Sequence, residues 1–162
     1  MQIYLMQHGP ALPKEQDPKQ GLSAEGKARV HAAGKALKKM GCVFDAILCS
    51  PKKRSTQTAA IVAQEVGFAE GKILETEKVK AMAPPQETLK VLSELSGADQ
   101  ILVAGHLPSV GEVASALLAE QTKISVQFEM GACCCIETDT PTGGAGRLRW
   151  FLLPEHLEWI AG

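Results

Sequence analysis

The chain has 162 residues, of which 45% are hydrophobic and 22% are charged, proportions typical of a globular protein large enough to bury a core. A formal net charge of −1, without a long block of lysines and arginines, gives nucleic acid no electrostatic footprint. No apolar run approaches the ~20 residues of a membrane span, and the first residues lack the basic region of a signal peptide. We therefore expect one domain over residues 1–162, a cytoplasmic location, and neither a nucleic-acid nor a membrane partner.

Apolar runs alternate with helix-periodic segments along the first two thirds of the chain. This alternation is typical of a mostly parallel sheet that is flanked by helices. Strands are predicted near residues 2–6, 45–49, 72–76 and 100–104. Helices are predicted near residues 23–40 and 54–66, and from Gln86 and Ser109 onward.

The helix ends carry recognisable signals. Ser23 is the expected N-cap of the first helix, and Gly41 is its expected stop. Ser109 and Glu112 have the spacing of a capping box at the start of a later helix. The buried stripe predicted for the first helix comprises Val30, Ala33, Leu37 and Met40.

The last third of the chain changes character, because short apolar runs follow one another without helical periodicity. Strands are predicted at residues 125–128, 132–137 and 147–152, with a turn at residues 141–144 between the last two. The expected fold is an α/β protein, a three-layer α/β/α sandwich whose mostly parallel sheet carries an antiparallel C-terminal hairpin.

Five cysteines include the run Cys133-Cys134-Cys135, but no Cys-x-x-Cys pair occurs. Adjacent residues of a strand point to opposite faces, so the run is poorly arranged to bind one metal ion. We expect these cysteines to be buried as small apolar residues in a reducing compartment.

Three short motifs stand where predicted strands end. They are Gln7-His8-Gly9, the segment from Ser50 to Thr58 that contains Arg54, and Gly105-His106. The ligand crevice of an open α/β sheet lies at the carboxyl ends of its strands, so these three loops are expected to converge. Two histidines and an arginine in one crevice suit a dianionic phosphoryl group.

These motifs and a fourth, Leu22-Ser23-Ala24-Glu25-Gly26, stand in the order found in the histidine phosphatase superfamily, the phosphoglycerate-mutase-like phosphatases. The chain resembles that family over roughly residues 1–137, and its small size is similar to that of the SixA-type phosphohistidine phosphatase branch. The resemblance implies a phosphoglycerate-mutase-like fold and a hydrolase that is active in signal transduction.

The resemblance also implies a role for each matching residue. His8 would be the catalytic nucleophile, Arg54 the catalytic phosphate clamp, and His106 the second catalytic histidine that contacts the transferred group. Phosphate binding would fall to Gln7, Arg54 and His106. No metal ion and no organic cofactor are expected. The two other histidines, His31 and His156, match nothing in the family pattern.

Gln7 departs from the family pattern, which has arginine at this position. A charge-assisted hydrogen bond contributes ~1.5–3 kcal/mol. If the transition state loses the whole of that free energy, the rate falls about ten- to hundred-fold. Glutamine still offers an N–H donor, so we expect an attenuated enzyme rather than an inactive one.

The expected substrate is a phosphorylated protein that bears phosphohistidine, because few residues separate Thr58 from Gln86 and no inserted cap can enclose the site. Two alternatives stay open. One is a non-catalytic or weakly active module that binds phosphate or phosphohistidine, and the other is a phosphomonoesterase for a small phosphorylated substrate. A mutase is disfavoured, since it must exclude water. A monomer is expected.

Overall fold

The computed structural model describes residues 1–162 as a six-stranded sheet with five helices. The strands are β1 (Gln2–Gln7), β2 (Ala46–Cys49), β3 (Leu74–Glu75), β4 (Gln100–Gly105), β5 (Cys133–Glu137) and β6 (Arg147–Leu152). The helices are α1 (Ala24–Lys39), α2 (Lys53–Val66), α3 (Pro85–Glu94), α4 (Ser109–Leu118) and α5 (Pro154–Ala161). None of these helices combines the length and apolar character needed to cross a membrane.

The sheet has the strand order β3-β2-β4-β1-β5-β6. Strands β3, β2, β4 and β1 pair in parallel, whereas β5 runs antiparallel to both β1 and β6. The predicted mostly parallel sheet and its antiparallel C-terminal hairpin are therefore confirmed. The parallel arrangement also brings the carboxyl ends of β1, β2 and β4 to one edge of the sheet.

Helices cover both faces of the sheet. Helices α1, α2 and α5 pack on one face, against the Tyr4 and Met6 side chains of β1. Helices α3 and α4 pack on the other face, against Ile3 and Leu5. The alternation of buried residues along β1 thus supplies two cores, and the predicted three-layer sandwich is confirmed.

The cysteine run follows the same alternation. Cys133 and Cys135 enter the core beside α1, and Cys134 enters the core beside α4. All five cysteines are buried free thiols, as predicted. Burial is the main cause that raises the pKa of each of them above its ordinary value.

Two predicted details of the helices are wrong. Met40 is 38% exposed rather than buried, because α1 ends at Lys39 and Met40 is its C-cap. The capping box of α4 does not form, since Ser109 is already the first helical residue and Pro108, which has no side-chain acceptor, is the N-cap. The carboxylate of Glu112 lies instead 3.4 Å from the Lys123 ammonium.

The C-terminal third contains two further differences from the sequence-based prediction. Residues 125–128 form no strand, because β5 occupies the position beside β1. Polar and apolar residues alternate in this segment because Phe128 is buried. Its ring packs edge-on against Phe151 at 5.0 Å between ring centroids. Helix α5 was not predicted; it begins at Pro154, a residue suited to a first helical turn, and it buries Leu157.

Gly26 of α1 lies directly beneath the loop that follows β1. A Cβ atom at this position would stand 1.9 Å from the carbonyl oxygen of Pro10. That carbonyl is held in place, since it accepts hydrogen bonds from the Ser23 N–H at 3.0 Å and from the Ser23 hydroxyl at 3.3 Å. A glycine at residue 26 therefore allows the loop after β1 to rest on α1.

Replacing Gly26 by alanine is expected to lower the free energy of unfolding by at least ~1–3 kcal/mol, the usual cost of overpacking, because backbone atoms must move apart. Urea unfolding monitored by circular dichroism measures this change. Gly71→Ala is the matched control, since a Cβ there would meet nothing within 4 Å. A Gly26→Ala protein as stable as the Gly71→Ala protein would contradict the close approach.

Candidate active site

The loops after β1, β2 and β4 meet at the carboxyl edge of the sheet and bring His8, Arg54 and His106 together. The backbone N–H of His8 donates to the Gly105 carbonyl at 3.0 Å, which joins the first loop to the third. The rings of His8 and His106 then lie 4.9 Å apart between centroids, with their planes at 62°. Both side chains are buried, and so are the last residues of β1, β2 and β4 beneath them.

The His8 ring is oriented by the residue that follows it. Its Nδ1 atom donates to the Gly9 carbonyl at 2.8 Å, which places the ring proton on Nδ1 and the lone pair on Nε2. Burial lowers the pKa of His8 below its ordinary value; the Gly9 hydrogen bond opposes this effect and the Arg54 charge adds to it. His8 is therefore a neutral imidazole whose Nε2 atom is unprotonated near pH 7.

Arg54 comes from the first turn of α2, which begins at Lys53. Its Nε–H donates to His8 Nε2 at 3.0 Å, so the guanidinium faces the unprotonated nitrogen. Burial lowers the pKa of Arg54 from its very high ordinary value, and the group keeps its charge at neutral pH. The helix N-terminus adds a positive potential at the same place.

His106 is the most perturbed group of the cluster. Its Nε2 atom shares a hydrogen bond of 2.5 Å with the Ser50 hydroxyl, while its buried Nδ1 atom has no partner. Burial lowers the pKa of His106 to about 3, and the positive charges of Arg54 and Lys52, together with that of His8 whenever its ring is protonated, add to the shift. The cluster thus combines two neutral imidazoles with one permanent cation.

Three hydroxyl residues of the second motif hold the loops in register, and sequence reasoning gave them no separate role. Ser55 Oγ donates to the Ala104 carbonyl at 2.8 Å and accepts the Ser50 N–H at 3.1 Å, which joins the loop after β2 to β4. Thr58 Oγ1 accepts the Gly9 N–H at 3.2 Å and donates to the Arg54 carbonyl at 2.7 Å. The only sequence signal for these contacts is the fixed spacing of the hydroxyls around Arg54.

The Gln7 side chain lies at the end of β1, and its amide points toward the segment before β5. With the amide oxygen and nitrogen assigned from their hydrogen-bond partners, the nitrogen donates to the carbonyls of Phe128 at 3.0 Å and Glu129 at 3.2 Å. The backbone adds two bonds, from Gln7 N–H to Ala132 and from Gly131 N–H to Gln7. Gln7 thus fixes the segment before β5 to the end of β1, and both of its amide hydrogens are engaged there.

The two remaining histidines lie outside the cluster. His31 Nδ1 is 2.7 Å from a carboxylate oxygen of Glu65, which links α1 to α2. His156 Nδ1 accepts the N–H of Leu153 at 3.2 Å at the start of α5. Both have local structural contacts, in keeping with the absence of any match to the family pattern.

The protein thus has an α/β fold, and the imidazoles of His8 and His106 lie with the guanidinium of Arg54 at the carboxyl edge of its sheet. A family model described as the histidine phosphatase superfamily (branch 1) matches residues 3–82, a range that includes His8 and Arg54. Residues 3–82 thus match the histidine phosphatase superfamily, and the fold of the whole chain is SixA-like.

Two solved structures share this fold, and one further protein is similar in sequence. The structure of the protein histidine phosphatase SixA complexed with tungstate matches with a TM-score of 0.86 at 24% identity, over 97% of this chain and 99% of that one. The alpha-ribazole phosphatase from Shigella flexneri matches with a TM-score of 0.74 at 14% identity, over 95% and 97%. An uncharacterised protein of Picosynechococcus sp. is 28% identical over 131 residues, which are 75% of this chain and 76% of that protein.

The pKa of His106 predicts how stability responds to acid. The ring stays neutral in the folded protein down to about pH 3, whereas in the unfolded chain it takes up a proton near its ordinary pKa of 6.5. Between these values the unfolded state binds more protons, so the free energy of unfolding falls as the pH is lowered. Urea unfolding near pH 7 and pH 5 should show a smaller fall for His106→Gln than for the parent. An equal fall would contradict the assigned pKa.

Gln7 can be tested with two replacements that differ in their donors. Gln7→Met keeps the length but leaves the Phe128 and Glu129 carbonyls without their donor, which is expected to lower the free energy of unfolding by ~1–3 kcal/mol. The guanidinium introduced by Gln7→Arg has five N–H donors. It can therefore still donate to those two carbonyls and also reach a bound anion. We expect Gln7→Arg to retain stability and to raise kcat/KM about ten-fold, near 1.4 kcal/mol.

Chemical unfolding and phosphate-release kinetics on the same preparations separate the two effects. A Gln7→Met protein that keeps its stability but loses vanadate binding would make Gln7 an anion ligand rather than an anchor for the segment before β5. A correctly folded Gln7→Arg protein with an unchanged or lower rate would show that the site has been rebuilt around glutamine.

Proposed function

We propose that this protein is a phosphatase that removes the phosphoryl group of phosphohistidine on another protein, through a covalent intermediate on His8. The observation that carries the proposal is the state of the His8 ring. Its Nδ1 proton is held by the Gly9 carbonyl, and its unprotonated Nε2 atom faces Arg54 at 3.0 Å. A neutral, oriented imidazole beside a fixed cation is what attack on a phosphoryl group requires.

In the first step, His8 Nε2 forms a bond to phosphorus while the bond from phosphorus to the substrate imidazole breaks. The second ring nitrogen of the substrate phosphohistidine takes up a proton from water beforehand, so that the imidazole leaves as a neutral group with the electron pair of the broken bond. The guanidinium of Arg54 offsets the negative charge of the phosphoryl oxygens, and the His106 ring, whose centroid lies 4.9 Å from that of His8, contacts them as well. An anion that enters must take the Arg54 Nε–H away from His8 Nε2, which frees the lone pair for attack.

In the second step, water attacks phosphorus and the bond to His8 Nε2 breaks. Inorganic phosphate leaves, and His8 returns to the neutral form that the Gly9 carbonyl stabilises. No step needs a metal ion or an organic cofactor. Gln7 in place of the family arginine leaves Arg54 as the one permanent cation among the four site residues, which supports an attenuated rate.

The surroundings of the site favour phosphohistidine over a phosphoester. The cavity beside Arg54 and His106 has a volume of about 190 Å³, and no carboxylate lines it. Two acids flank the segment Lys80–Met82 that lines this cavity, and both pair with lysines: Glu77 with the Lys80 ammonium, and Glu87, on α3, with the Lys78 ammonium at 3.9 Å. A phosphoester needs an acid to protonate its leaving oxygen, whereas imidazole is a good leaving group.

A small phosphorylated substrate is the second candidate, since the alpha-ribazole phosphatase from Shigella flexneri shares the fold. A cytoplasmic location and a monomeric state stay predictions. The likeness to SixA supports a phosphorylated protein as the partner, and the missing acid is the observation from this chain that agrees with it.

His8→Ala is expected to lower phosphate release from a phosphohistidine peptide by at least about a thousand-fold, as losing a covalent nucleophile does in other enzymes. It should also abolish acid-labile labelling of the protein by a ³²P-phosphohistidine peptide in a quenched single turnover. His31→Ala is the matched control, because His31 pairs with Glu65 away from the site.

Each other result has a definite meaning. Full activity in His8→Ala would show that the nucleophile is wrongly assigned. Peptide binding by the parent without phosphate release, at enzyme excess, would make the protein a binding module. Release from para-nitrophenyl phosphate but not from the peptide would favour the small-substrate phosphatase.

A further inference from the structure

A broad basic depression adjoins the candidate site and has no role in the phosphoryl chemistry. It has a volume of about 800 Å³ and includes Arg54, which it shares with the cavity beside His106. Its lining contains no hydrophobic residue. We call the three lysines Lys14, Lys19 and Lys52, which line this depression and pair with no carboxylate, the basic rim.

The basic rim is built from two segments that are fixed to each other. The carboxylate of Asp17 accepts the Lys53 ammonium at 2.8 Å and the Gly21 N–H at 2.8 Å. The Leu22 N–H donates to the Gln57 side chain at 2.7 Å. These bonds hold the loop that carries Lys14 and Lys19 against the first turns of α2, so the lysines are positioned before any ligand arrives.

The charges around the depression do not cancel. Asp17 neutralises Lys53, and the Lys53 ammonium lowers the pKa of that carboxyl to about 2. Both members of the pair are therefore ionised at neutral pH. Glu75 is the one carboxylate among the lining residues. Against it stand the basic rim and Arg54, an excess of positive charge in a chain whose net charge is −1.

We propose that the basic rim binds an acidic stretch of the substrate protein, close in space to the phosphohistidine that enters the site. This inference rests on the proposed function and adds that the substrate protein is acidic close to its phosphohistidine. The depression is wide, polar and open, which suits an extended polypeptide with carboxylates better than a compact apolar ligand. Because the depression and the site share Arg54, the acidic stretch must lie within a few residues, or one surface patch, of the phosphohistidine.

Complementary charge acts mainly on the rate of encounter, and salt screens it. The test uses two synthetic peptides with one histidine phosphorylated by phosphoramidate, flanked by aspartates in one and by serines in the other. At low salt, kcat/KM should be about ten-fold higher for the aspartate peptide, within the range that electrostatic steering gives. In 1 M NaCl, where the screening length is about 3 Å, the two values should converge.

Lys14→Glu/Lys19→Glu should remove the preference for the aspartate peptide at low salt, and in 1 M NaCl, where these charges are screened, its kcat/KM for the serine peptide should equal that of the parent. Lys52 is kept in this variant, because it stands two residues from Arg54. The matched control is Lys35→Glu/Lys38→Glu, which changes the net charge equally at exposed α1 positions outside both cavities and should keep the preference.

The outcomes separate this inference from the proposed function. Equal turnover of the two peptides at low salt, or an equal loss of preference in both double variants, overturns the role of the basic rim and leaves the phosphatase proposal standing. No turnover of either peptide overturns the proposed function and the basic rim with it. A Lys14→Glu/Lys19→Glu protein that loses activity on para-nitrophenyl phosphate alone would show that the rim selects small anions.

Discussion

The hydrogen bond from His8 Nδ1 to the Gly9 carbonyl is the contact on which the proposed chemistry of this protein depends. One carbonyl at 2.8 Å decides which ring nitrogen carries the proton and so which nitrogen can act as a nucleophile. The bond joins two adjacent residues, so it needs only the correct backbone turn after β1. Much of the surrounding structure exists to hold that turn.

The turn is held from two sides. Gly26 lets the loop rest on α1, because any side chain there would strike the Pro10 carbonyl. Thr58 accepts the Gly9 N–H and, through the Arg54 carbonyl, places the guanidinium against the ring that Gly9 orients. A superfamily signature that looks catalytic from the sequence is therefore largely scaffolding, and few of its members face the ligand.

The sequence predicts the strands and helices of the first two thirds well, because buried parallel strands read as apolar runs and the helices bury one stripe each. It fails where a local pattern has two structural causes. Residues 125–128 alternate like a strand, yet the alternation comes from burying Phe128 beneath Phe151. The direction of the Gln7 amide was equally beyond reach, since its carbonyl partners lie more than a hundred residues away and carry no side-chain signature. The convergence of His8, Arg54 and His106 was predictable, because each of them follows a predicted strand of a mostly parallel sheet.

The buried cysteines have a consequence for how this chain tolerates its surroundings. Oxidation of a cysteine begins from the exposed thiolate. Here burial keeps all five thiols protonated and away from water, while the proposed nucleophile is a nitrogen. Peroxide, which disables phosphatases that use a reactive cysteine, finds no exposed thiol to attack at this site. The proposed chemistry of this site therefore does not depend on the redox state of any thiol, in contrast to that of phosphatases whose nucleophile is a cysteine.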